Sequence, residues 1–138
     1  MNEDNCLFCK IVLGQIPATK IYENDNVLSF LDIGPVTTGH TLIIPKQHYE
    51  KVDQCPPEIL GLVFSCMGKV AGAVCNAMNA DGYNVLCNNG QAAGQVIGHL
   101  HFHIIPRTTG DGVFDHWPSF KYAEGKIEEI AEQISKML

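Results

Sequence analysis

An α+β domain with a mostly antiparallel five-stranded sheet is the fold this sequence predicts. Three observations carry that reading. Five short β-prone runs are joined by turns rather than by repeated helical crossovers. One long amphipathic run separates the third from the fourth, and a second closes the chain. At 138 residues the chain has the length of one domain, so 1–138 is read as a single unit.

The elements follow in order. Residues 7–13 (LFCKIVL) make a short helical turn that Gly14 ends, and Pro17 forces an extended path after it. Residues 20–23 and 27–32 are β-prone, separated by the turn-forming Asn24-Asp25-Asn26, and Gly34-Pro35 breaks the second. Residues 41–44 are apolar or β-branched, and Pro45 stops them. Pro56-Pro57 opens the long helix, where Leu60, Val63, Phe64, Met67, Val70, Ala71 and Val74 keep the three-and-four spacing of a buried stripe. It ends near Asn79. Residues 83–87 and 100–106 read as two more strands around a Gly- and Ala-rich loop, and 111–122 reads as irregular. Ile127, Ile130, Ile134 and Met137 stand at helical spacing, which predicts a C-terminal amphipathic helix.

Composition narrows the function. The net charge of −6 argues against a nucleic-acid or anionic-membrane surface, because both need a basic patch. No apolar run approaches the roughly 20 residues of a membrane span. Met1-Asn2-Glu3-Asp4-Asn5 lacks the basic start of a signal peptide, and six cysteines without an export signal suggest a reducing, cytoplasmic setting.

The chemistry concentrates in His99-Leu100-His101-Phe102-His103-Ile104-Ile105. Strand side chains alternate with a period of two, so His99, His101 and His103 share one face and Leu100, Phe102 and Ile104 the other. Three imidazoles beside an apolar face are costly to bury unless each finds a partner. They suit either phosphorus chemistry or a metal. The preceding loop, Asn88-Asn89-Gly90-Gln91-Ala92-Ala93-Gly94-Gln95, has little bulk and offers amides, so it can approach an anionic ligand closely.

His-φ-His-φ-His-φ-φ, with φ apolar, resembles the motif of the histidine triad (HIT) superfamily of nucleotide hydrolases and transferases. Cys6-Leu7-Phe8-Cys9, Ile16-Pro17-Ala18, Phe30-Leu31-Asp32-Ile33, Gly39-His40-Thr41-Leu42-Ile43-Ile44-Pro45-Lys46, Gly94-Gln95 and Ile105-Pro106-Arg107 resemble its other blocks in the same order. The likeness covers a core of about 6–107, leaves a less diagnostic segment 108–138, and is strongest to the Hint branch of small homodimeric hydrolases.

The resemblance implies a HIT fold whose sheet extends across a homodimer. It implies attack by His101 on the α-phosphorus of a purine nucleotide, through a covalent nucleotidyl-histidine that releases AMP or GMP. Nucleoside 5′-phosphoramidates are the substrates it favours. The alternatives are Fhit-like dinucleoside polyphosphate hydrolysis and a nucleotide-binding adaptor with little turnover. His103 and Gln95 would assist His101. Asp32 would hold the ribose, Asn88 and Gln95 the phosphate, and Leu7, Phe8, Ile11, Ile16, Phe30 and Ile33 the base. Neither an organic cofactor nor a catalytic metal is required. Two positions depart from the pattern: Val96 stands where Ser or Thr is frequent, and Gly98 where larger residues are common. Both bear on the leaving group.

Cys6-x-x-Cys9 by itself reads as a zinc pair, a redox pair or two packed thiols. Redox chemistry fits poorly without a surrounding βαβ unit. His48 and His99 are the residues that would complete a tetrahedral structural zinc, as the resemblance to related proteins suggests. Cys55, Cys66, Cys75 and Cys87 read as packing residues. His40 reads as a packed or hydrogen-bonding histidine near the nucleotide side, and the Hint resemblance implies that the region of Trp117 reaches the partner subunit's active site.

Overall fold

The computed structural model describes residues 5–138, so the acidic start at 1–4 lies outside the described residues. Five strands form one antiparallel sheet in the order β1-β2-β3-β5-β4. The strands are β1 (Lys20–Glu23), β2 (Val27–Leu31), β3 (Thr41–Pro45), β4 (Gly82–Leu86) and β5 (Phe102–Arg107). The helices are α1 (Leu7–Val12), α2 (Pro57–Ala77) and α3 (Lys126–Ser135).

Local chemistry sets the boundaries. The Cys6 thiol caps α1 by accepting from the Cys9 N–H, and Gly14 leaves the helix at φ +72, a region that glycine enters without steric cost. Between β1 and β2 the Asn24 side-chain oxygen accepts from the N–H groups of Asn26 and Val27, an Asx-type turn. Pro57 occupies the first turn of α2, where its missing N–H is tolerated.

The sheet alternation divides the interior in two. Val27, Ile43, Leu100, Phe102 and Ile104 pack against Val63, Cys66, Met67, Val70, Ala71 and Val74 of α2. On the opposite face Leu28, Phe30, Leu42 and Ile44 pack against Cys6, Phe8 and Ile11 of α1. Each apolar side chain fully removed from water in these layers contributes about 1.5–3 kcal/mol. The alternation expected for the histidine segment therefore holds, with the imidazoles turned toward the α1 side.

The ladder differs from expectation at its start. Hydrogen-bonded strand begins at Phe102, two residues later than predicted, because the Leu100 N–H donates to Tyr49 O instead of to a neighbouring strand. His99 and His101 thus lie on a lead-in that bends through residues 97–99, yet both rings still pack against Phe8. By length and composition α2 is apolar enough to cross a membrane, which the sequence reading did not anticipate. Here its apolar stripe lies against the sheet.

The C-terminal helix forms where expected, but α3 buries none of its side chains, and Ile127 and Ile134 stay exposed. The segment before it is irregular. Arg107 holds the start of that segment through a two-point pair with Asp111, a bond to Asn84 and one to the carbonyl of Val113.

Candidate active site

A cavity of about 380 Å³ opens on the α1 side of the sheet, with His101 and His103 in its wall. Leu7, Phe8, Ile11, Ile16, Phe30, Ile33, Asp32 and Asn88 all line it, so the structure brings nearly every expected nucleotide-side residue together. Phe8 is pinned edge-on to both Phe30 and His101, with ring centres 5.4 and 5.3 Å apart. Ile33 is fully exposed and sits at the rim rather than in the wall's interior.

Hydrogen-bond partners fix the tautomer of each histidine in the motif, backbone carbonyls for His99 and His101 and a side chain for His103. His101 Nδ1 lies 2.6 Å from the His99 carbonyl, which can only accept, so Nδ1 carries the proton. Nε2 then presents a lone pair. Burial lowers the His101 pKa below 6.5, which keeps the ring neutral at pH 7.

His103 is set by a longer chain of bonds. The Val36 N–H donates to His40 Nδ1 at 3.0 Å, so the neutral His40 ring holds its proton on Nε2. That N–H faces His103 Nδ1 at 2.9 Å and donates to it. His103 must then carry its own proton on Nε2. This atom is buried and has no partner. An unmatched buried donor costs about 1–3 kcal/mol, the kind of debt a ligand acceptor would cancel. Burial, with His101 and His40 adding to it, pushes the His103 pKa down to about 4. Burial also lowers the pKa of His40, with partial compensation from Asp32.

Asp32 serves two ends. Its Oδ1 accepts from the Gly34 N–H at 2.8 Å, the turn role its neighbours suggest. Its Oδ2 lies 3.7 Å from His40 Nε2 and lines the cavity. Asp32, His40 and His103 converge closely enough to raise the question of a cation. The tautomer answers it: His40 Nε2 bears a proton and has no lone pair to give.

Gln95 stands apart from the cavity that holds His101. Its Oε1 accepts from the Gly90 N–H at 2.7 Å, and its Nε2 donates to the carbonyls of Glu50 and Ile97 at 2.7 and 3.1 Å. The side chain staples the loop. Asn88 reaches the cavity and donates to the Gly94 carbonyl, with Gly94 in the left-handed region at φ +85. Leu42 and Ile97 also line the cavity and were not singled out in the sequence. Leu42 pairs with His103 across the β3–β5 ladder, a neighbour visible only once the strands are registered.

Cys6, Cys9, His48 and His99 converge at a second cluster, with their donor atoms all within 4.8 Å of one another. The two Nδ1 atoms are 3.3 Å apart, and the sulfur–nitrogen separations run from 3.3 to 3.5 Å. Four such donors around one tetrahedral zinc would stand about 3.3 Å (N to N) and about 3.6 Å (N to S) apart. The residues fit the ion. His99 Nε2 donates to the Pro45 carbonyl at 2.9 Å, which turns the Nδ1 lone pair toward the cluster, as a metal ligand requires. Burial pushes the His99 pKa down to about 4, which also favours the neutral ligand form. The other four cysteines are free and lie in or beside the core, as expected. Trp117 is exposed and stacks on Phe114, away from the described cavity lining.

A HIT domain model matches residues 13–110. Adenylylsulfatase HINT3 of Arabidopsis thaliana is 45% identical over 132 residues, covering 96% of this chain and 66% of its own length. Adenosine 5′-monophosphoramidase hnt1 of Schizosaccharomyces pombe is 39% identical over 135 residues, covering 97% and 98%. A crystal structure of a HIT family protein from Bacillus anthracis superposes with a TM-score of 0.89 at 44% identity, covering 98% of both chains. A zinc-bound histidine triad family protein from Mycobacterium smegmatis gives 0.76 at 35% identity, covering 99% of this chain and all of the other.

Proposed function

The chain belongs to the HIT family, and from that premise we propose that it hydrolyses nucleoside 5′-phosphoramidates by way of a covalent nucleotidyl-histidine. The carrying observation is the complementary pair in the cavity wall: His101 presents a lone pair on Nε2 while His103 presents an unpartnered N–H on Nε2. A nucleophile and an oxyanion donor on alternate residues of one chain suit attack at a phosphorus.

In this reading the purine lies between Phe8, Ile11, Ile16, Phe30 and the rim residues Leu7 and Ile33. Asp32 Oδ2 accepts from the ribose, and Asn88 with the loop end at Gly94 holds the phosphate. His101 Nε2 attacks, the P–Nε2 bond forms as the P–N bond breaks, and the amine leaves with one proton taken up from solvent. Water then cleaves the P–Nε2 bond, frees the nucleoside monophosphate and releases one proton, so the cycle consumes only water. His103 Nε2–H steadies the charge on the phosphoryl oxygens in both steps. Gln95 acts as a positioning residue that keeps the loop's shape.

Cys6, Cys9, His48 and His99 would hold a structural zinc. It would supply no chemistry to phosphorus but would tie α1, and hence Phe8 and Ile11, to the segment that carries His101. The relatives named for AMP phosphoramidate and adenylyl sulfate support a nucleotidyl substrate. A homodimer is part of the proposal, with the exposed apolar side chains of α3 and of the segment before it as the supporting feature. Six cysteines, with no disulfide among the described residues, suit a reducing cytoplasm.

The test compares kcat/KM for adenosine and guanosine phosphoramidates and for diadenosine tetraphosphate. Phosphoramidates should be the better substrates. His101→Ala should abolish turnover while retaining nucleotide binding, and acid-quenched wild type should carry a nucleotide on one histidine. Full activity in His101→Ala would refute the mechanism.

A further inference from the structure

A second cavity, of about 420 Å³, adjoins the first, and Gly94 and Val96 line both. Another cavity, beside Cys9, Lys10 and His48, shares no lining residue with the His101 cavity. The adjoining cavity therefore meets the site at Gly94 and Val96, where the proposed function puts the phosphate, and away from the apolar end that would take the base. A group leaving phosphorus has this neighbouring space to enter.

Its walls include Glu50, Gln91, Gln95 and Gly98. Glu50 is the only ionisable residue among those lining it. No ion pair among the described residues involves its carboxylate. The Glu50 carbonyl accepts from Gln95 Nε2, and the same amide's oxygen accepts from the Gly90 N–H, so Gln95 ties two lining segments together. Val96 and Gly98, the two residues that broke the sequence pattern, both line it. Val96 offers no hydroxyl, and Gly98 offers no side chain. Polar recognition within this space rests on Glu50 and the amides.

We propose that this cavity receives the leaving group and that Glu50 selects leaving amines that carry a second, positively charged nitrogen. The inference rests on the phosphoramidase reading above. An anionic leaving group, such as a sulfate or a nucleotide phosphate chain, would meet an uncompensated carboxylate there.

Three adenosine phosphoramidates of matched length test it: an N-aminopropyl, an N-butyl and an N-carboxyethyl compound. Wild type should favour the cationic over the neutral compound by about five- to tenfold in kcat/KM, the preference one charge pair gives across roughly 7 Å at an effective dielectric near 40. The carboxylate compound should be the slowest. In Glu50→Gln the cation-to-neutral ratio should fall toward one, and in Glu50→Lys the order should reverse. A merely structural loss would lower all three rates together and leave the ratios standing. Unchanged ratios in both variants, with turnover intact, would overturn the subsite assignment alone. Absence of turnover of all three by wild type would overturn the phosphoramidase reading, and this inference with it.

Discussion

Replacing His40 tests the tautomer chain more sharply than replacing the nucleophile. The Val36 N–H and the His40 ring together dictate that His103 keeps its proton on Nε2, through contacts of 3.0 and 2.9 Å. In His40→Ala, His103 Nδ1 faces a void or water, and the ring is free to rotate or to change tautomer. A donor aimed at developing charge is worth about 10²–10³ in kcat when deleted outright. Here it is loosened, not deleted, so a loss of about 1.5–2.5 kcal/mol is expected, or roughly 10- to 70-fold. His40→Gln is the informative partner. Its amide nitrogen can take the place of Nε2–H, and its oxygen can accept from Val36, so it should recover to within about threefold of wild type. Steady-state kcat/KM on folded protein gives the rates, and histidine ¹⁵N shifts report the His103 tautomer directly. If His40→Ala stays within twofold of wild type, or His40→Gln is as slow as His40→Ala, the chain does not govern His103. A wild-type spectrum with the His103 proton on Nδ1 would refute it independently.

Other expectations follow from the same geometry. As pH falls below 6.5, His101 protonates and loses its lone pair; since burial lowers its pKa, the acid limb of kcat/KM should have its midpoint below 6.5. Stability should fall over the same direction, because His103 stays neutral down to about 4 in the folded chain while its unfolded counterpart takes up a proton near 6.5. Denaturant midpoints between pH 7 and 4.5 will show this, and a flat profile would contradict it. Purified, unchelated protein should carry close to one zinc per chain, and Cys9→Ser should lose it along with about 3 kcal/mol, roughly 10 °C in Tm. Phe8→Ala removes a buried ring that touches Phe30 and His101. It should destabilise the fold by about 3 kcal/mol and raise KM more than it lowers kcat.

The fold was legible because its signals are local. Gly14, Asn24, Pro45 and Pro57 punctuate elements by backbone chemistry that needs no distant partner. The histidine alternation is likewise local, and the rings share a side even ahead of the ladder at Phe102, although the chain bends at His99. The roles of His40 and Gln95 were less legible. Gln95 bonds to backbone groups as far away in sequence as Glu50, and His40 meets His103 across 63 residues. Such partners depend on strand order, and no spacing in the sequence encodes them. The two positions that departed from the motif acquired a shared address only when Val96 and Gly98 were found lining one cavity.

The alternation at residues 99–104 also makes this protein self-checking as it folds. A slip of one residue would carry the imidazoles into the layer beneath α2 and present Leu100, Phe102 and Ile104 to the cavity. The buried rings of His99 and His101 and the half-buried ring of His103 would lose their hydrogen-bond partners while a core layer lost its aliphatic fill. A misregistered chain would therefore be both inert and unstable, and would be cleared as unfolded protein rather than persist as an inactive enzyme. Single-residue insertions or deletions between His99 and Ile104 should be tolerated nowhere.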